Sequence, residues 1–386
     1  MARIAPCLTA SALLLSTSLS AQAFTPTGND IADAFLTLLE SEQGTVESYG
    51  TIGTSDAGVL IDDIRIIDKN DEKALVTIAT TVLSGGKTLE TGRLQLETLS
   101  LEAVDMDSSE GSMKIASFKA TDVVLPSPEE VAKGPEAVSN PSYSSLDITS
   151  VEVSGVDQET ITVARIQSEI GDMFEELPTS MQFQIHGIRF KTSAVSNSQT
   201  KTLKEMGYED VDIDVAGRGK WSPESKEANL TDLTIKGEDF GTLTLNLGFG
   251  GVSKEVVQKL EEIGNDPQKA MGLTQNVSLT GLSIDFNDQS FTNRVLEFEA
   301  QKVGIEKSAY IEQQIGAVTQ LLAALKNPEF QETVTGALTT YLNDPKSLTV
   351  SAQPGNPVPF SQIMGTVMLA PQALPKILNI GVTANQ

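Results

Sequence analysis

Hydrophobic positions along this chain recur in a short pattern, apolar-x-x-apolar-x-apolar, found six times. The copies are Ile61–Ile66, Leu96–Leu101, Ile148–Val153, Ile185–Phe190, Leu230–Ile235 and Leu279–Ile284, with starts 35, 52, 37, 45 and 49 residues apart. A further apolar residue stands two positions before each: Val59, Leu94, Leu146, Phe183, Ala228 and Val277. In a regular strand Val59 and Ile61 point to one face, and Ile64 and Ile66 to the other. One extra residue at Asp62-Asp63, a β-bulge, would return all four to the same face and bend the strand. The alternative is a strand partly buried on each face, without a bulge. The recurrence of Asp, Thr, Ser or Gly in the slip positions favours the bulge. The uneven spacing argues against separate stacked repeats.

Alternating or β-branched segments lie between the copies, such as Leu75–Val82, Thr160–Ala164, Val211–Val215 and Leu243–Leu247. Gly85-Gly86 reads as a hairpin turn. The pattern predicts an α+β fold: a large curved antiparallel sheet of about ten to twelve strands, as a meander, trough or half-barrel. A helix-rich C-terminal part packs on it. One short helix precedes the sheet, capped by Asp30 with Ile31, Phe35, Leu38 and Leu39 on its apolar side. Residues 125–142, with four prolines, read as an exposed loop, either a lid or a crossover.

After Gly250 the period changes from two to nearly four. Val256, Val257, Leu260 and Ile263 predict a helix capped by Ser253. Further helices start near Phe291, Ser308 and Pro328, the last behind an Asn327 cap. A strand at 348–351, a helix at 360–369 and a strand at 380–383 close the chain. The expected organisation is 1–23 export signal, 24–250 β-rich region and 251–386 helix-rich region with embedded strand, sheet and helices forming one composite unit.

The first 23 residues change where this fold is expected to work. Arg3, the apolar run to Leu19 and Ala21-Gln22-Ala23 have the form of a signal peptide cleaved near Ala23. The single cysteine, Cys7, lies inside that segment, so no disulfide is available afterwards. A bacterial periplasmic or secreted location follows as the expectation. Beyond the signal, no stretch is long and apolar enough for a membrane-spanning anchor. The 52 acidic against 27 basic residues give a net charge of −25, which repels nucleic-acid phosphates, so nucleic acid is not an expected partner.

Candidate chemistry is sparse. The one histidine, His186, sits in a slip position of the fourth copy, where a structural role is expected. Gly85-Gly86-Lys87-Thr88 lacks the earlier glycine of a phosphate-binding loop, since Thr81 stands there. Asp105 and Asp107 have the opening spacing of a calcium loop, but its glycine comes one residue late and Ala116 occupies the twelfth position. Asp210, Asp212 and Asp214 alternate along one strand face. These five are weak metal candidates, against a reading of solvated acidic faces. No catalytic motif is present, so a non-enzymatic protein without cofactor is expected. With 5% aromatics and one tryptophan, there is little material for sugar-stacking platforms.

An apolar inner sheet face could enclose a hydrophobic ligand or close as an ordinary core. Phe360, Ile363, Met364, Val367 and Met368 form a candidate apolar lid. The short β-segments behind an export signal, with Ser290–Phe298, Asn327–Phe330 and Tyr341–Leu348 in the helical tail, resemble uncharacterised alphaproteobacterial secreted proteins. The β-segments also resemble, more loosely, those of AsmA-type envelope proteins, whose β-grooves imply lipid handling. The expected function is a periplasmic binding or carrier protein for a lipid or other hydrophobic molecule, using the concave sheet face. The alternative is a structural or interaction protein of the envelope, with a closed core and an envelope protein partner.

Overall fold

The computed structural model describes residues 24–40, 44–68, 74–132, 143–155, 160–175, 177–193, 198–263 and 277–386. The expected export signal and most of the loop at 125–142 lie outside these residues. The fold is α+β, with an open antiparallel sheet of 17 strands and several helices among the described residues. The described residues divide into two compact units, one comprising those up to Gly171 with Ile185–Phe190, the other those of Asp172–Gln184 with Lys191–Gln386.

The first unit is a meander. Helix α1 (Asp30–Leu39) precedes β1 (Gly44–Ser48), β2 (Ile52–Ser55), β3 (Gly58–Asp68), β4 (Leu75–Ser84), β5 (Lys87–Thr88), β6 (Leu94–Ser108) and β7 (Gly111–Leu125). The short helix α2 (Pro128–Ala132), β8 (Ser145–Gly155) and parts of β9 (Ile161–Phe174) and β10 (Leu177–Lys191) complete it. Asn29, rather than Asp30, caps α1: its side chain accepts hydrogen bonds from the Ile31 and Ala32 N–H groups. The helix buries Ala32, Phe35, Leu36 and Leu38 in one cluster with Val59, Ile61, Ile64, Leu83, Leu94 and Leu96 of the sheet. Ile61 and Ile64 are fully buried, and Val59 and Ile66 nearly so, so the four share one face as the repeated pattern predicts.

The device that returns them to that face is not an inserted residue. Asp62 pairs with Thr80 and Ile64 with Ile78, so Asp63 stands opposite Ala79 with the register unchanged on either side. By the same reading Ala79 stands opposite Ala103, Ala103 opposite Ala116, Ala116 opposite Ser150, and Ser150 opposite Ala164. Ala164 in turn lies against Gly187 on β10. Every second member of this row is left-handed: Asp63 at φ 50°, Ala103 at 49°, Ser150 at 50° and Gly187 at 65°. The row is a crease running across seven strands, in which all slip phase together. From Ala79 onward its members are alanine, serine or glycine, in keeping with crowded Cβ positions: a Cβ on Gly187 would sit 2.9 Å from that of Ala164. The copy at Leu96 has no left-handed residue of its own; Asp122, at φ 49°, stands opposite Glu97.

Two expectations change here. Gly85-Gly86 is not the hairpin turn, because β5 continues past it to pair with β6 and the chain reverses at Leu89–Gly92. A Cβ on Gly86 would strike Ile31, so the glycine admits α1 against the sheet. Residues 126–132 are not an exposed loop: Pro126, Ser127 and Val131 are buried. Ser127 and Glu130 form a reciprocal capping box, Ser127 N–H donating to Glu130 Oε2 at 2.9 Å and Glu130 N–H to Ser127 Oγ at 3.3 Å.

The second unit holds α3 (Ser198–Glu205), β11 (Asp210–Ser222), β12 (Glu227–Gly237), β13 (Gly241–Gly250), α4 (Lys254–Ile263) and β14 (Ser278–Asp288). Then come α5 (Phe291–Val303), α6 (Lys307–Ala323), α7 (Pro328–Asn343), β15 (Ser347–Ala352), β16 (Val358–Pro359), α8 (Phe360–Leu369), α9 (Leu374–Ile377) and β17 (Ile380–Ala384). Helix starts follow the sequence closely: Asn327 Oδ1 accepts the Phe330 N–H, and Gly304 ends α5 in the left-handed region. Here the repeated pattern does act by a one-residue bulge. On β12 the extra residue falls at Asp232, φ 51°, against both neighbours, and on β14 at Thr280.

Candidate functional site

The second unit contains an apolar groove on the β11–β13 surface. Trp221, next to the end of β11, is buried, and its indole N–H donates to the Val252 carbonyl at 2.8 Å. That bond fixes the ring between Leu177, Val252 and Val277 on one side and the groove on the other. Register places Gly219 opposite Leu230, Trp221 opposite Ala228, and Ala228 opposite Phe249, so these residues share one sheet face. Pro178 and Met181 of β10 form a further wall. The cavity measures about 290 Å³, close to the lower end of small-molecule sites, roughly 300 Å³.

Two details keep it open. A Cβ on Gly219 would meet nothing within 4 Å, so the missing side chain is space that a larger residue would occupy. Met181 and Phe174 are partly exposed, Phe174 meeting Trp221 edge-on at 6.2 Å. The side chains available are apolar or neutral except Lys220, which alternates with Gly219 and Trp221 and so projects from the other face. Such a lining can hold an apolar molecule by burial; it offers no general acid or base.

The candidate lid residues all lie on α8, but they divide between two sides. Phe360 packs on Phe249, a wall of the groove, with ring centroids 6.2 Å apart, and Ile363 joins a cluster around Leu279, Ala352, Val358 and Leu378. Met364, Val367 and Met368 point outward and are exposed. The helix therefore supports the groove at its first residue and does not cover it with the others.

The acidic candidates are strand residues. Asp105 and Asp107 face Lys114 and Ser112 across the β6–β7 hairpin, which turns at Ser109-Glu110 where a calcium loop would need room for its ligands. Asp210, Asp212 and Asp214 alternate along β11, with Asp214 opposite Lys236. Among the described residues, no group of three or more carboxylate, histidine or cysteine side chains is arranged to hold a metal. His186 is exposed on β10 beside the crease residue Gly187.

A polar cluster invisible in the sequence ties the start of α5 to its neighbours. Tyr208 stacks on Phe240 at 3.9 Å, Arg294 lies 4.3 Å over the Tyr208 ring, and Arg294 Nη1 donates to the Gly207 carbonyl at 2.7 Å. Asp288 Oδ2 accepts the Thr292 N–H at 2.8 Å, and Tyr341 Oη lies 2.5 Å from Thr292 Oγ1. Burial pushes the Tyr341 hydroxyl up to about 12, so it stays protonated. These contacts latch the start of the helix. Their residues are scattered from 207 to 341, and their spacing carries no periodic signal.

A family model described as "Uncharacterized protein" matches residues 234–385, from the second half of β12 through β17, which is less than half of the chain. No curated protein matches the chain. No helix among the described residues is long and apolar enough to cross a membrane.

Proposed function

We propose that this is an exported, non-enzymatic binding or carrier protein for a hydrophobic molecule, held in the groove against Trp221. The observation carrying this reading is the open apolar lining of Trp221, Phe249, Leu230, Ala228 and Met181, with the vacancy over Gly219. An apolar surface left as a groove gains by admitting an apolar molecule. Apart from Ala228 and Leu230, which line the groove, the residues that form the repeated pattern then serve as scaffold. The signal-like segment at 1–23 supports a periplasmic or secreted setting.

Purification of the protein from its native host, organic extraction and mass spectrometry test the proposal. One reproducible hydrophobic species at near-stoichiometric amount is expected, and its loss in Gly219→Leu. A protein that is reproducibly ligand-free contradicts it. The first unit favours a second reading, a structural or interaction protein of the envelope, because α1 fills the apolar face there as a closed core. A specific partner recovered from envelope extracts by a ligand-free protein would support that one instead.

A further inference from the structure

The outer face of α8 is not used by the groove. Met364, Val367, Met368 and Leu369 are exposed at 54, 46, 78 and 88%. Single exposed apolar residues are ordinary, but four from one ten-residue helix form a patch. The helix has no charged residue, and none occurs between Lys346 and Lys376, the longest such run among the described residues. In a chain of net charge −25 that interval is a gap in an acidic surface. The packing of Phe360 and Ile363 holds the helix with its outer residues facing away from the protein.

Exposed lysines stand in the segments that flank the helix. Lys376 is exposed just beyond it in α9. Exposed Lys326 precedes Asn327, whose side-chain amide donates to the Gln372 carbonyl at 3.1 Å, which brings the α6–α7 turn next to the segment that follows α8. Leu321, 74% exposed, belongs to the last turns of α6. Flexible methionines with a leucine tip suit a fluid acyl layer, and lysines at the margin suit the phosphates above it. A second copy would bring another −25 to the contact, and a strongly anionic surface would be repelled by the rest of the molecule.

We infer that α8 is a docking element for a zwitterionic phospholipid surface, inserting Met364, Val367, Met368 and Leu369 among the acyl chains. This goes beyond the carrier reading and does not need the groove to be filled.

Flotation of the full chain with phosphatidylcholine vesicles tests it. Wild-type protein is expected to float, and the double variant Met368→Glu/Leu369→Glu to lose at least tenfold in vesicle partitioning with an unchanged thermal melt. Replacing part of the phosphatidylcholine with phosphatidylglycerol is expected to weaken flotation at low salt. Gly219→Leu is expected to float like wild type, which separates failure of the groove from failure of α8. Wild-type protein that stays in the dense fraction overturns the inference, as does flotation that the double variant retains. Sedimentation showing a wild-type dimer that the variant abolishes, without flotation, assigns the patch to a second copy and likewise overturns it.

Discussion

The two units use the same apolar-x-x-apolar-x-apolar pattern and solve its phase problem differently. In the first, seven strands slip together along a crease, the register stays unchanged from β3 through β9, and left-handed residues alternate with alanines. In the second, β12 and β14 each absorb one extra residue alone. A concerted slip keeps the apolar rows of all strands in line, and α1 closes over part of them as a continuous core. A local bulge shifts one strand against its neighbours. On the groove of the second unit a Cβ at Gly219 would meet nothing within 4 Å, while at the crease of the first a Cβ at Gly187 would meet that of Ala164 at 2.9 Å. The groove of the second unit thus carries the proposed binding, and the crease of the first carries stability.

The largest effect that could break this comparison is at the crease glycine. Gly187→Val puts a β-branched residue at φ 65° and drives its Cβ to 2.9 Å from that of Ala164. It is expected to cost about 2–4 kcal/mol, read from urea unfolding followed by circular dichroism. A cost under about 0.5 kcal/mol would mean that the crease tolerates bulk and is not a constraint.

Next is the Arg93–Glu130 pair that anchors α2. Hydrogen bonds from Arg93 are the main cause holding the Glu130 carboxyl at about 2, below its ordinary 4.5. Its stabilisation is therefore complete above about pH 4.5 and lost as pH falls through about 2. Glu130→Gln is expected to cost about 1–2 kcal/mol at neutral pH and to flatten the stability profile across that window. Equal acid sensitivity in variant and wild type would assign the profile to other carboxylates.

The smallest effect has the opposite sign. Thr81 is completely buried and its hydroxyl has no hydrogen-bond partner. It occupies the middle apolar position of an additional copy, Ile78-x-x-Thr81-x-Leu83. Thr81→Val is expected to stabilise by about 1 kcal/mol, seen as a higher melting temperature. A destabilised variant would show that the hydroxyl has a role the packing does not reveal.

That copy shows what was legible in the sequence and what was not. Strand types, helix limits after Gly250 and the shared face of Val59, Ile61, Ile64 and Ile66 follow from periodicity, because burial of one face dictates it. Copies at Ile78, Leu101 and Ala120 stay hidden in the sequence because Thr81 and Ala120 occupy apolar slots and Leu101 also ends another copy. The crease escapes it because alignment across strands is a property of register, absent from spacing along one chain. Prolines around Ser127 suggest a loop, while Ser127-x-x-Glu130 carries the capping signal that prevails. The groove depends on the space over Gly219, and a glycine in a strand reads equally well as a kink. For α8 the apolar composition predicts a lid facing inward, whereas packing assigns that side to Phe360 and Ile363 and leaves the methionines outside.

The central claim, that the groove over Trp221 takes up an apolar molecule, has a built-in reporter, since Trp221 is the single tryptophan of the chain. The most direct measurement is Trp221 fluorescence during titration with N-phenyl-1-naphthylamine, in wild type and in Gly219→Leu. Saturable quenching of Trp221 by energy transfer in the wild type, weakened at least tenfold by the leucine, is the predicted result. Equal quenching in both proteins, or none in either, would contradict the account.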